Sequence, residues 1–330
     1  MRILPLLLLL LLCSCGAENT GERKAATGAA QSAPYELLVV ANKEWLKTQA
    51  GTALLDLLES PIEGLPQYEP NFKCIKIDPV HWGSTFKTYA NVVRVEIGSK
   101  HPKAEMRQTR DLYCRPQLIL SLHAPNDTAF LRLLHERGSQ MLNLFNELEF
   151  SRERKRLQKK HSTVVSRQAK SQFQVTLCAP ADINQVKAGQ DFFWASSTQQ
   201  DFKLNICLYT LPLRNLSLSE FVSLRDSVMR LNIPGGHEGQ WMETDSRTVS
   251  YATIGDDPAS GPKMVVRGLW DMRGDAMGGP FVSYLQADPA RDRLLVSEGF
   301  VFAPDKKKRP LIRQLEAALQ TVDLLPPPQK

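Results

Sequence analysis

One apolar run sets the first limit on this chain. Leu6 to Leu12 is unbroken leucine, preceded by Ile3, Leu4 and Pro5, with the positive charge of Arg2 in front. A bilayer core takes roughly 20 apolar residues, and this run has about half of that, the length of the hydrophobic region of a secretory signal. After residue 16 charges interrupt every apolar stretch, so the body is expected to have no transmembrane helix. The remainder of the 330 residues must bury its apolar side chains in a folded body, and 42% hydrophobic content is enough for a packed core. The net charge of +6 is a modest excess that favours anionic partners only weakly, and export argues against nucleic acid as one of them.

The order Leu12-Cys13-Ser14-Cys15-Gly16 resembles the bacterial lipobox, with Leu three before the lipidated Cys and a small residue one before it. Cys13 does not fit, because Leu12 would then stand where only small side chains are cleaved. The resemblance implies that residues 1–14 are a lipoprotein signal peptide and that Cys15 carries a diacylglycerol and an acylated amino terminus. The membrane is then the first partner, since two or more acyl chains anchor stably where one does not. Residues 15–34 are mostly Gly, Ala, Ser, Thr and Glu and read as a flexible tether. Gly16 is not the aspartate that retains some lipoproteins in the inner membrane, and only Glu18 and Glu22 are acidic near the anchor. The expected location is an outer-membrane lipid anchor on the periplasmic face rather than the cell surface.

Period-2 and period-3.6 patterns alternate along the body, which predicts an α+β fold in two consecutive, mainly antiparallel sheet units, residues 35–165 and 166–330. In the first, strands are expected at Glu36 to Ala41, Phe72 to Ile77, Val92 to Ile97 and Gln117 to His123, with a helix from Lys43 to Leu58. A long helix is capped by Asn126-Asp127 and striped by Phe130, Leu134, Met141, Phe145 and Leu148. Past Phe150 the stripe gives way to SRERKRLQKKH, either a solvated helical extension or a loop, with anionic headgroups as an alternative partner. In the second unit, strands are expected at Phe173 to Leu177 and Lys203 to Tyr209, then a helix from Ser217 or Ser219 to Leu231. A C-terminal β-meander follows, and a helix from Pro310 striped by Ile312, Leu315, Leu319 and Val322 closes the chain. LSLHAPNDTAF and VTLCAPADINQ both read as strand, Ala-Pro turn and Asp cap, which suggests an internal duplication, although such junctions also arise independently.

Four blocks, ELLVVANKEW, EGLPQYEPNFKCIKI, RGLWDMRGDAMGGPFVSY and EGFVFAPDKKKRPLIRQLEAAL, together resemble an uncharacterised cell-envelope lipoprotein family of the Bacteroidetes, a domain of unknown function, across residues 36–322. The resemblance implies an envelope lipoprotein and names no activity, substrate or catalytic residue.

Site chemistry is sparse. There is no G-x-S-x-G and no H-E-x-x-H, and the six histidines are scattered, so no catalytic residue, metal or cofactor is expected. Lys307, Lys308 and Arg309 stand at the start of the last helix, where free N–H groups and the dipole favour an anion. Cys74, Cys114, Cys178 and Cys207 admit two disulfides or free thiols, with Cys178–Cys207 the first bridge to test. Arg273-Gly274-Asp275 is expected to be a turn between strands. The reading is a non-enzymatic binding module for an envelope protein or an anionic glycolipid; the alternative is an envelope hydrolase acting on glycan or peptide.

Overall fold

The structure is a computed structural model that describes residues 28–257 and 261–327; the expected signal peptide, Cys15 and the tether through residue 27 lie outside the described residues. The first unit contains β1 (Glu36–Val40), α1 (Gln49–Leu58), β2 (Lys73–Ile77), β3 (Asn91–Ile97), β4 (Glu105–Arg110), β5 (Leu118–Ala124) and α2 (Asp127–Lys159). Its strands lie in the order β2-β1-β3-β5-β4. The second contains α3 (Thr163–Gln168), β6 (Ile183–Ala188), β7 (Phe192–Ser197), β8 (Lys203–Pro212), α4 (Leu218–Asn232), β9 (Trp241–Asp257), β10 (Gly261–Arg273), β11 (Gly278–Asp288), β12 (Arg293–Phe302) and α5 (Arg309–Leu319). Its sheet runs β6-β7-β8-β12-β11-β10-β9.

The class is α+β, and the second sheet is antiparallel throughout with the expected meander and closing helix. The first sheet departs from the expectation. β1 pairs parallel with β2 and β3, β3 pairs parallel with β5, and only β4 is antiparallel. The cause lies in burial: β1 packs on α1 and α2 on one face and on Ile75, Ile77, Trp82 and Phe86 on the other, so its side chains are apolar on both faces. The duplication also fails. Phe173 ends a π-turn, Val175 makes a single bridge to Leu324, and Asp182 precedes strand β6 rather than a helix. The expected helix from Lys43 is a 3-10 turn at Trp45–Lys47 followed by α1, whose cap Thr48 accepts from the Gly51 N–H.

Residues 28–34, expected to close the tether, are bound to the body. Arg115 donates to the Gly28 carbonyl, Ala30 donates to that of Arg115, and the Ala90 N–H donates to the Ser32 hydroxyl. The stretch from Ser151 to Lys159 continues α2 as helix, and Lys160 and His161 leave it: Phe130, Met141 and Phe145 sit in the first core, Phe150 and Leu157 in the second. The 33-residue helix therefore joins the two cores. Helices cover both faces of the second sheet. α5 packs on one face with Ile312, Leu315 and Leu319, and α4 on the other with Phe221 and Met229. Gly299 permits the close approach of α5, since a Cβ there would stand 2.9 Å from the Leu315 Cβ. Among the described residues no helix is long and apolar enough to cross a membrane.

Candidate functional site

With its apolar stripe on the sheet, α5 turns Arg309, Arg313, Glu316 and Gln320 toward the first unit, spaced by four, three and four residues along one face. Opposite them α2 presents Asn146, Glu149, Arg152, Glu153 and Arg156. Two cavities open between these helices and meet at Arg313: one of about 580 Å³ toward the start of α5, the other of about 770 Å³ toward the middle of α2.

Four arginines and two glutamates line the smaller cavity. Arg152 donates to Glu149 at 2.8 Å and to the Ser32 carbonyl at 3.3 Å, and Arg156 pairs with Glu153 at 2.5 Å. Arg313, 8% exposed, donates to Glu316 at 3.0 Å and to Asn71 at 2.9 Å, while its buried Nε has no partner. Arg309 donates to the Pro70 carbonyl at 2.7 Å, and among the described residues it has no carboxylate within ion-pair distance. Burial pulls its pKa below the usual guanidinium value against the opposing pull of Glu69. Tyr35 closes the wall with φ at 59°, a left-handed backbone that aromatic residues seldom adopt. The larger cavity mixes polar and apolar groups. Asn71, Asn143, Asn146 and Gln320 line it with Tyr284 and Phe150, and the buried Asn146 Oδ1 is unpartnered. Glu316 lies between Arg313 and Arg267 and accepts from the Tyr284 hydroxyl at 3.3 Å. Burial opposes its ionisation, yet the two guanidinium groups outweigh that and hold its pKa low.

The anion expected at the start of α5 is already supplied from within. Glu69 of the first unit, 3% exposed, accepts from the Lys308 N–H at 2.6 Å and the Arg309 N–H at 3.1 Å. Those N–H groups are thus occupied and closed to a ligand; Lys307 is exposed, and the Lys308 ammonium donates to the Lys306 carbonyl. Of the three named residues only Arg309 reaches the cavity. The Cys178–Cys207 bridge is also corrected: both are free, Cys207 faces the α4 side of the sheet and Cys178 packs on the α5 side, so the sheet stands between them. Burial raises all four thiols, Cys74 to about 12 and Cys114 to about 11. Arg273-Gly274-Asp275 forms the β10–β11 turn, as expected, closed by the Asp275 N–H to the Met272 carbonyl.

Two further clusters were not anticipated. Beneath α4, the fully buried Arg225 donates to both oxygens of Glu298, at 2.7 and 3.0 Å, and stacks on Phe281 at 3.9 Å. At the edge of the first sheet, Glu96, His123 and Glu105 are register partners across β3, β5 and β4, and His101 stacks on His123 at 4.6 Å. Sequence carried a signal for the arginine cavity that was missed, since Arg152/Arg156 and Arg309/Arg313 each fall at i, i+4 on a helix. For Glu69 there was none.

Residues 30–158 match the family model described as Domain of unknown function (DUF8532), and residues 162–321 match the one described as Domain of unknown function (DUF4837). The chain thus carries two domains of unknown function. No curated protein matches it. Among solved structures it is similar to a point mutant of Protein Mog1, at 12% identity and a TM-score of 0.30, and to the Saccharomyces cerevisiae Ran-binding protein Mog1p, at 11% and 0.28. Each match covers 46% of this chain and 90% of the other. At that level neither fold nor function transfers.

Proposed function

We propose that this chain is a lipid-anchored protein of the bacterial cell envelope, of the Bacteroidetes lipoprotein type, that binds another envelope component in the cleft between its two units without catalysing a reaction. The anchor rests on Leu12-Cys13-Ser14-Cys15-Gly16, with Cys15 as the acylated residue at the periplasmic face of the outer membrane. Binding rests on one observation: α2 and α5 line two adjoining clefts, and the Arg309 guanidinium on the wall of the smaller has, among the described residues, no carboxylate within ion-pair distance. A guanidinium held on the wall of a cleft without a carboxylate favours a ligand that supplies an anionic group.

The test is site-specific photocrosslinking in intact cells. A crosslinker at Asn143 or Gln314, on the cavity walls, should capture an envelope component that one at Val80, 80% exposed and in the first unit, does not. Equal capture at all three positions, or none, would remove the reading. Cys15→Ala should move the protein out of the membrane fraction. The hydrolase reading has one observation in its favour, the His123 imidazole Nδ1 at 3.5 Å from Glu105 with Glu96 on the neighbouring strand. It requires that His123→Ala abolish a hydrolytic activity on envelope glycan or peptide that the wild-type chain displays.

A further inference from the structure

The cleft-binding reading is the premise here, and the chemistry of the smaller cavity narrows its ligand. Four arginines against two glutamates leave two positive charges on the wall of a space of about 580 Å³. Glu149 and Glu153 each hold one arginine, Glu316 holds Arg313 from one side, and among the described residues the Arg309 guanidinium has no carboxylate within ion-pair distance. The side chain of Arg313 is more than nine-tenths buried and still has an unpartnered Nε. Guanidinium groups from two helices line one space, and several of them can be shared among the oxygens of one phosphoryl group. A phosphate monoester carries nearly two negative charges at neutral pH and supplies the anion that Arg309 lacks. The cavity is larger than a phosphate ion, and Pro34, Tyr35 and Pro310 give it an apolar side for the group esterified to it.

We infer that the cavity bounded by Arg152, Arg156, Arg309 and Arg313 binds the phosphoryl group of a phosphate monoester, with Arg309 as its principal contact. The chain enters the body beside this cavity: the Ser32 carbonyl accepts from Arg152, and Pro34 and Tyr35 form part of the wall. A lipid headgroup and a soluble phosphate ester offer the same chemistry, and the experiment separates them.

The full chain, purified in neutral detergent, is unfolded thermally at constant ionic strength with inorganic phosphate, with mixed micelles containing phosphatidic acid, or with chloride alone. The expected result is a rise in Tm that saturates with phosphate or with phosphatidic acid and not with chloride. Arg309→Gln should weaken the apparent affinity at least about tenfold. Arg156→Gln, at a half-exposed residue, gives a second reading from a variant expected to fold, and Lys307→Gln, outside the cavity, should respond as wild type. A response to both probes supports the phosphoryl site with a free ester sufficing, and a response to phosphatidic acid alone supports it with the headgroup as source. No response to either, or responses unchanged in both Arg309→Gln and Arg156→Gln, overturns it. Cleft crosslinks that persist while the phosphate response is absent would retain the binding module and discard this ligand; loss of both would discard the two together.

Discussion

Helices α4 and α5 lie on opposite faces of the same sheet, and each brings an arginine to a buried glutamate, but they end up with opposite accounts of their polar groups. Beneath α4 the cluster is closed: Glu298 accepts from Arg225 through three bonds and from Ser283 at 2.8 Å, and Arg225 also reaches Thr244 at 2.7 Å. Around α5 the cluster borders on cavities and leaves Arg313 Nε unpartnered. Their N-termini differ in the same way. α4 carries its own capping box, Ser217 with Glu220, whereas α5 has no local cap and takes Glu69 from the other unit. The pair teaches that a buried ion cluster reads as structural when every donor is used and nothing borders it, and as a candidate site when the same residue types are left incomplete beside a cavity.

The largest effect should come from breaking the closed cluster. Glu298→Ala leaves the Arg225 charge buried without its partner, and urea unfolding should show a loss of about 3–5 kcal/mol. Replacing both, Arg225→Met with Glu298→Leu, should restore most of it, because the cost lies in the orphaned charge rather than in the lost pair. A double variant as unstable as the single would mean that the cluster fixes the packing of α4 in some further way.

At the cleft the equivalent change should cost less, since Arg267 is 23% exposed and water can reach it. Glu316→Gln is expected to lose about 1–3 kcal/mol at neutral pH. Because the folded pKa of Glu316 lies below its ordinary value of 4.5, its contribution is present above that value and disappears as pH falls through the folded pKa. The stability gap between wild type and Glu316→Gln should therefore be constant near neutrality and close below about pH 4.5. A gap that widens on acidification would contradict the assignment.

Removal of the two caps sets the helices against each other directly. Ser217→Ala should cost about 1 kcal/mol and speed hydrogen exchange only in the first turn of α4. Glu69→Ala should cost about 1–2 kcal/mol, expose the Lys308 and Arg309 amides to exchange, and loosen contacts between the units around Asn71. Equal and purely local effects would erase the distinction between a self-capped helix and one capped across the interface.

Much of the fold was legible where burial is one-sided, as in the stripe of α5 or the meander strands. β4 and β6 were missed because they are sheet edges: β6 buries only Ile183, and β4 reads EMRQTR, so neither displays an apolar face. Pairing direction left a weaker trace. The unbroken apolar run of β1 is the mark of a strand buried on both faces, and it was read as a strand without that consequence. At the site, the i, i+4 arginine pairs are local and readable. The contact of Glu69 with α5 joins residues 240 apart, and no local pattern encodes a cap supplied from that distance. Arg225 was hidden for a related reason: it occupies the buried stripe between Phe221 and Met229, where an amphipathic pattern expects an apolar residue.

The smallest expected effect separates the two caps by their exposure. Arg214, together with the backbone and hydroxyl of Ser217, lowers the Glu220 pKa to about 2, and this side chain is exposed. Its cap should persist as pH falls from 4.5 and fade only near 2. Because the pairing is exposed, salt on the order of 1 M shortens the screening length to about 3 Å and should move the midpoint back toward the ordinary carboxylate range. Glu69 is 3% exposed and bonded to two backbone N–H groups, so the same salt should leave exchange protection of the Lys308 and Arg309 amides unchanged. Carboxyl NMR titration of Glu220 and amide exchange at Lys308, each measured at low and high salt, make the comparison. If both caps answer to salt alike, the α5 cap is open to water and the interface between the units is looser than its geometry indicates.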